Sequence, residues 1–122
     1  VMPYDGDRGP TRALLERIAS SGLGSFLTVL KMFGQIESLG LMSFPRPGIT
    51  LALDFPFTGD DTLRLLNDLD AIVKEAGGAL YPAKDARMSS QMFQLSYPKW
   101  EEFEKFIDPQ FSSSFWRRVT PS

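Results

Sequence analysis

Residues 49–57 read ITLALDFPF, and this stretch decides the fold class. Ile49, Leu51, Leu53 and Phe55 alternate with Thr50, Ala52 and Asp54. That two-residue period predicts a strand with one apolar face and one small or polar face. Pro56 ends the strand or marks a sheet edge, because proline has no N–H to give to a ladder. Upstream, SFLTVLKMF (25–33) is rich in aromatic and β-branched residues and too short for a core helix, so it predicts a second strand. The segment between them, GQIESLGLMSFPRPG (34–48), carries glycines and prolines among scattered apolar residues and reads as a loop.

Helical patterns flank this pair. Pro10 suits a first helical turn, Leu14, Leu15 and Ile18 follow at helical spacing, and Gly22 fits a left-handed cap. Thr58 to Asp61 resembles a capping box ahead of a stripe made by Leu65, Leu66, Leu69, Ile72, Val73 and Ala76, which Gly77-Gly78 stops. ALYPAKD (79–85) predicts a short strand interrupted by Pro82. Ser89 or Ser90 caps a short helix through Leu95. Pro98 opens another, with Trp100, Phe103, Phe106 and Ile107 inward, and the tail QFSSSFWRRV (110–119) has no regular period. At the start, Val1-Met2 before Pro3 reads as the last residues of a strand running into the turn at 5–9, which predicts a truncated N-terminal strand. The order is that of the split βαβ, ferredoxin-like α+β fold. It predicts an antiparallel sheet with both main helices on one face, C-terminal helices and a tail, as a single domain over 1–122.

Composition narrows the function classes. The 122 residues carry a net charge of −2, and no basic run exceeds Arg117-Arg118, which argues against binding a phosphate backbone. Cysteine and histidine are both absent, so thiol chemistry, disulfides, a histidine triad and ordinary zinc ligation are excluded. No apolar run approaches the roughly 20 residues of a membrane span.

Two lysines raise a sharper question. With helices on one face, Thr50, Ala52 and Asp54 belong to the other. On 25–33, Leu27, Val29, Lys31 and Phe33 form one row and Phe26, Thr28, Leu30 and Met32 the second. Both rows are apolar, which predicts a strand covered on both sides, by a partner domain or a second copy. Lys31 interrupts one row, and Lys84 follows a short apolar run. Each ammonium either snorkels to water or shares a cleft with the other, and periodicity leaves both readings open. Asp54 and Asp60-Asp61 read as strand-end and helix-start carboxylates, Trp100 as core, and Tyr81 stays open.

Five blocks in order, FLTVLKMFG (26–34), LMSFPRPG (41–48), LALDFPF (51–57), GGALYPAKDARM (77–88) and DPQFSSSFWRRV (108–119), resemble the C-terminal part of bacterial FAD-linked oxidases. These form the vanillyl-alcohol oxidase superfamily; the pattern is nearest to the decaprenylphosphoryl-ribose oxidase branch, with sugar-lactone and alditol oxidases more distant. The resemblance implies a substrate-domain fragment whose FAD-binding domain is absent from this chain. Its parent would oxidise a hydroxyl of a sugar or polyol by hydride transfer to FAD. It implies that Lys84 and Lys31 are catalytic, that Tyr81, Ala83 and Lys84 lie by the flavin, and that Thr50, Ala52 and Lys31 face the substrate, with no metal. Ala52 stands where close relatives carry other small or polar residues, including cysteine. The isolated chain is then inactive. The alternative is a free-standing ferredoxin-like module that binds a ligand or dimerises through its open sheet face, without catalysis.

Overall fold

The computed structural model describes residues 1–4, 6, 8–84 and 87–121. Its α+β architecture begins with α1 (Gly9–Ser21), a hairpin of β1 (Leu27–Phe33) and β2 (Gly48–Asp54), and α2 (Asp60–Glu75). A 3₁₀ turn (Pro82–Lys84) and three short helices follow: α3 (Ser90–Ser96), α4 (Trp100–Glu104) and α5 (Ser114–Val119).

The hairpin is antiparallel, with Leu27 opposite Asp54 and Phe33 opposite Gly48. Beyond β2 the sheet continues through single residue pairs. Met2 and Ile49 exchange two backbone hydrogen bonds of 2.8 and 2.9 Å. The Val1 amine donates to the Ala79 carbonyl at 2.7 Å and the Ala79 N–H returns to Val1 at 2.8 Å. The lanes therefore run β1, β2, Val1–Met2, Ala79, which is the lane order of the ferredoxin-like fold expected from the sequence. The expected strand at 79–85 is reduced to Ala79. Pro82 has no N–H for a ladder, and the chain winds instead into the 3₁₀ turn, where the Lys84 N–H reaches the Tyr81 carbonyl at 3.4 Å. Asp85, like Asp5 and Asp7 of the expected N-terminal turn, lies outside the described residues.

Helix punctuation follows the sequence closely. Pro10 sits in the first turn of α1, and Gly22 (φ 71°) and Gly77 (φ 66°) take the left-handed conformation at the ends of α1 and α2. Ser89 caps α3 by accepting from the Met92 N–H. The capping box at Thr58 is not formed, since Gly59 is the N-cap and no side chain caps it. The Thr58 N–H instead donates to Thr62 Oγ1 at 3.0 Å, while that buried hydroxyl donates to the Pro56 carbonyl. An aspartate at 61 is too short to reach back as a capping-box glutamate does.

The core joins Met2, Leu14 of α1, Leu65, Leu69 and Val73 of α2, Met88, Met92 and Phe93, Tyr97 and Val119. The tail without a period is thus structural. Ser113 caps α5, Val119 is fully buried, and Phe115 and Trp116 set their rings edge-on to Phe93 at 5.6 and 5.8 Å. Trp100 packs against the core as expected, whereas Phe106 lies past the end of α4 and is 77% exposed. The second cover expected for β1 is not supplied by this chain itself. β1 is the outer lane, α1 and α2 pack against each other behind the inner ones, and Leu30 and Met32 remain 54% and 60% exposed.

Gly48 shows how closely the lanes press together. Its φ is 150°, and a Cβ there would sit 2.1 Å from the Met2 carbonyl oxygen. Gly48→Ala is therefore expected to lower the unfolding free energy by about 2 kcal/mol or more in urea denaturation. A change below about 0.5 kcal/mol, typical of an unremarkable surface site, would contradict this close approach.

Candidate functional site

The hairpin register decides which side chains share a face. Residues opposite each other in an antiparallel pair point the same way, so Lys31 with Thr50, Val29 with Ala52 and Leu27 with Asp54 lie together. This is the face predicted to be open. Thr50 is buried, Asp54 half-buried, and Lys31 and Ala52 exposed. From β1 to the lane of Ala79 is three strand spacings, about 14 Å. Across that width lies a cleft of about 850 Å³ whose lining includes Lys31, Thr50, Ala52, Tyr81 and Lys84.

Five of the six residues singled out in the sequence are thus brought to one hollow. Ala83 is the exception: it sits exposed in the 3₁₀ turn and does not line the cleft. Both ammoniums are exposed, and neither has an ion-pair or hydrogen-bond partner among the described residues. The snorkelling and shared-cleft readings therefore coincide. Each lysine reaches water, and each does so at the rim of the same hollow.

Sequence reading missed the aromatic wall beside them. Phe44, from the loop between β1 and β2, stands edge-on to Phe33 at 6.3 Å and tilts against Tyr81 at 5.0 Å. Three distant stretches of chain thereby meet in one apolar surface. Its signal was the phenylalanine in LMSFPRPG, where a loop should carry polar residues. Arg46, two residues before β2, was missed as well. Its guanidinium donates to the Ser96 carbonyl at 2.6 Å, tying the loop to the end of α3.

Two buried groups beneath the cleft are electrostatically displaced. Burial, and secondarily the Arg46 charge, lowers the Val1 amine to about 6. Burial pushes the Tyr97 hydroxyl up to about 12 against a downward pull from Arg46, and the hydroxyl donates to the Leu80 carbonyl at 2.9 Å. Tyr97 is thus a fixed donor that holds residue 80 in place and stays protonated.

No family model matches the chain. Curated proteins do, among them these two. Decaprenylphosphoryl-beta-D-ribose oxidase of Mycolicibacterium smegmatis is 36% identical over 113 residues, covering 88% of this chain and 24% of the oxidase. The chain is related to this oxidase's domain. An uncharacterized protein in the mprA 5′ region of Streptomyces coelicolor is 34% identical over 113 residues, covering 88% of this chain and 30% of that protein. The chain thus spans roughly a quarter to a third of the length of these relatives. The similarity supports the resemblance read from the five blocks and makes this an oxidoreductase-related domain.

The Val1 amine gives a pH test of the lane beneath the site. Its proton is held more weakly in the folded chain (about 6) than in the unfolded one (8.0), so the unfolded state binds more protons between these values. Stability of the 122-residue chain should therefore rise by about 2 kcal/mol as pH goes from 6 to 8, with the penalty fully present below 6. Denaturant melts across this range measure it. A flat profile would place the amine in water.

Proposed function

We propose that this chain is the substrate-domain part of an FAD-dependent oxidoreductase that oxidises a hydroxyl of a sugar or sugar-like alcohol. The sheet face bearing Lys31, Thr50 and Ala52, with Tyr81 and Lys84 across from it, closes over a flavin held by a separate FAD-binding domain. The observation that carries this reading is the convergence of two ammoniums, unpaired among the described residues, and an aromatic wall on one cleft in a relative of an oxidase.

The residues fit the cofactor by their chemistry. A reduced flavin gathers negative charge at one edge of a flat apolar ring, and the cleft offers cations beside an aromatic surface. When bound, FAD takes the hydride that leaves the hydroxyl-bearing carbon. Lys84 holds a positive charge where negative charge develops, and it stabilises the transition state more than the ground state. Lys31 orients the substrate hydroxyl by donating to its oxygen. Thr50 supplies a hydroxyl and Ala52 a small wall, which leave room for a ring-sized alcohol between them. Tyr81, half-exposed and braced by Phe44, offers its face to the flavin.

A second reading rests on the exposed apolar residues of β1, including Leu30 and Met32. A free-standing module would cover them by dimerising and would bind no flavin even when complete.

In the full-length parent loaded with FAD, Lys84→Ala should slow flavin reduction by the alcohol by about 10²-fold or more, with flavin content unchanged. Stopped-flow absorbance follows the step. Reduction at the unaltered rate removes Lys84 from the chemistry, and a parent that purifies without FAD favours the dimeric module.

A further inference from the structure

Leu80 is the last residue before the turn that carries Tyr81 and Lys84. Its neighbour Ala79 exchanges both backbone hydrogen bonds with Val1. Successive residues of an extended lane direct their N–H and C=O groups to opposite sides, so those of Leu80 face the other edge. No strand lies on that edge among the described residues, and half-buried backbone groups need partners. Two side chains from the end of α3 supply them. The Leu80 N–H donates to Ser96 Oγ at 3.2 Å, and the Tyr97 hydroxyl donates to the Leu80 carbonyl at 2.9 Å. Ser96 and Tyr97 are buried, and the Tyr97 ring rests against Phe93 at 5.4 Å, so both hydroxyls are anchored in the core.

The same helix end carries a second tie. The Ser96 carbonyl accepts from Arg46 at 2.6 Å, and Arg46 Nε donates to the Phe44 carbonyl at 3.4 Å. The Phe44 ring tilts against Tyr81, which adjoins Leu80. These contacts close a circuit from Leu80 through Ser96, Arg46 and Phe44 to Tyr81. Tyr81 is thereby restrained through its backbone and through its ring, and both restraints end on α3. Ser96 and Arg46 lie outside the cleft lining, while Tyr97 borders the cleft with its hydroxyl committed to Leu80.

We propose that Ser96 and Tyr97 are positioning residues: by holding both backbone groups of Leu80 they set the turn that presents Tyr81 and Lys84 to the cleft. The catalytic consequence rests on the flavin reading above; the clamp itself does not. An ammonium stabilises developing charge only from a fixed place, and a small displacement there lowers the rate. Removing the Tyr97 hydroxyl keeps the ring packing but leaves the Leu80 carbonyl without its donor. Residue 80 then turns that carbonyl to water and carries Tyr81 and Lys84 with it.

The clamp is tested by NMR of the 122-residue chain with Tyr97→Phe, and with Ser96→Ala as a second variant. In Tyr97→Phe, exchange of the Leu80 amide should quicken by about tenfold or more while Leu69 and Val73 of α2 stay protected. Both variants should weaken the Overhauser contact between the Tyr81 and Phe44 rings. A ring contact of unaltered strength in both, or one weakened only together with core protection in both, overturns the clamp. Its action on Lys84 is tested in the FAD-loaded parent by a double-variant cycle. Tyr97→Phe alone should slow flavin reduction at saturating alcohol by about tenfold, but by less than about twofold when added to Lys84→Ala. No slowing by Tyr97→Phe where Lys84→Ala does slow reduction, or equal slowing in both backgrounds, overturns the positioning role. If Lys84→Ala itself leaves the rate unaltered, the flavin reading falls, and the NMR result alone decides whether Ser96 and Tyr97 set the turn.

Discussion

Four backbone hydrogen bonds made by Val1 and Met2 hold the two halves of this molecule together. On one side they grip Ile49 and so the whole β1–β2 hairpin; on the other they grip Ala79 and so the segment that ends α2. The remaining contacts are distributed unevenly around this joint. Among the described residues β1 pairs only with β2, and the helices pack on each other. Without the joint the hairpin would keep only side-chain contacts with the core, and a two-stranded ribbon is marginal in water. The close approach at Gly48 and the burial of the Val1 amine follow from the same crowding.

The joint also makes the candidate site. Lys31 belongs to the lane at one edge and Lys84 to the turn that follows the lane at the other, and among the described residues neither element hydrogen-bonds to the other. The two-residue lane between β2 and Ala79 links their strands and brings them to the same face. Phe44 and Arg46 reinforce that placement from the loop, one by contacting Tyr81 and the other by clasping the end of α3. A site assembled from separate lanes suits a surface that must fit a flat partner, since each lane contributes one side chain at a fixed spacing.

Much of this was legible in the sequence where a local rule governs. Alternation in ITLALDFPF fixed β2 and the face of Thr50 and Ala52; glycines at 22 and 77 fixed helix ends; Val1-Met2 was rightly read as strand. Non-local competition defeated the rest. Pro82 turned ALYPAKD from ladder into 3₁₀ turn, because no proline can donate to a neighbouring lane. The serine-rich tail hid α5, whose six residues carry too little periodicity to see but bury Val119 and set Phe115 and Trp116 against Phe93. Phe106 looked inward by spacing, yet α4 stops two residues earlier and the spacing lapses. For the site, residue types announced the lysines and Tyr81, whereas the Phe44 wall depended on how a long loop folds back, and no period records that.

The most direct test is whether Lys31 and Lys84 share their hollow by virtue of the short lane. A short amine-to-amine crosslinker with mass-spectrometric readout should join Lys31 to Lys84 in the 122-residue chain, and the link should vanish when Val1 and Met2 are deleted. A link that persists after the deletion, or that never forms in the intact chain, would contradict the account.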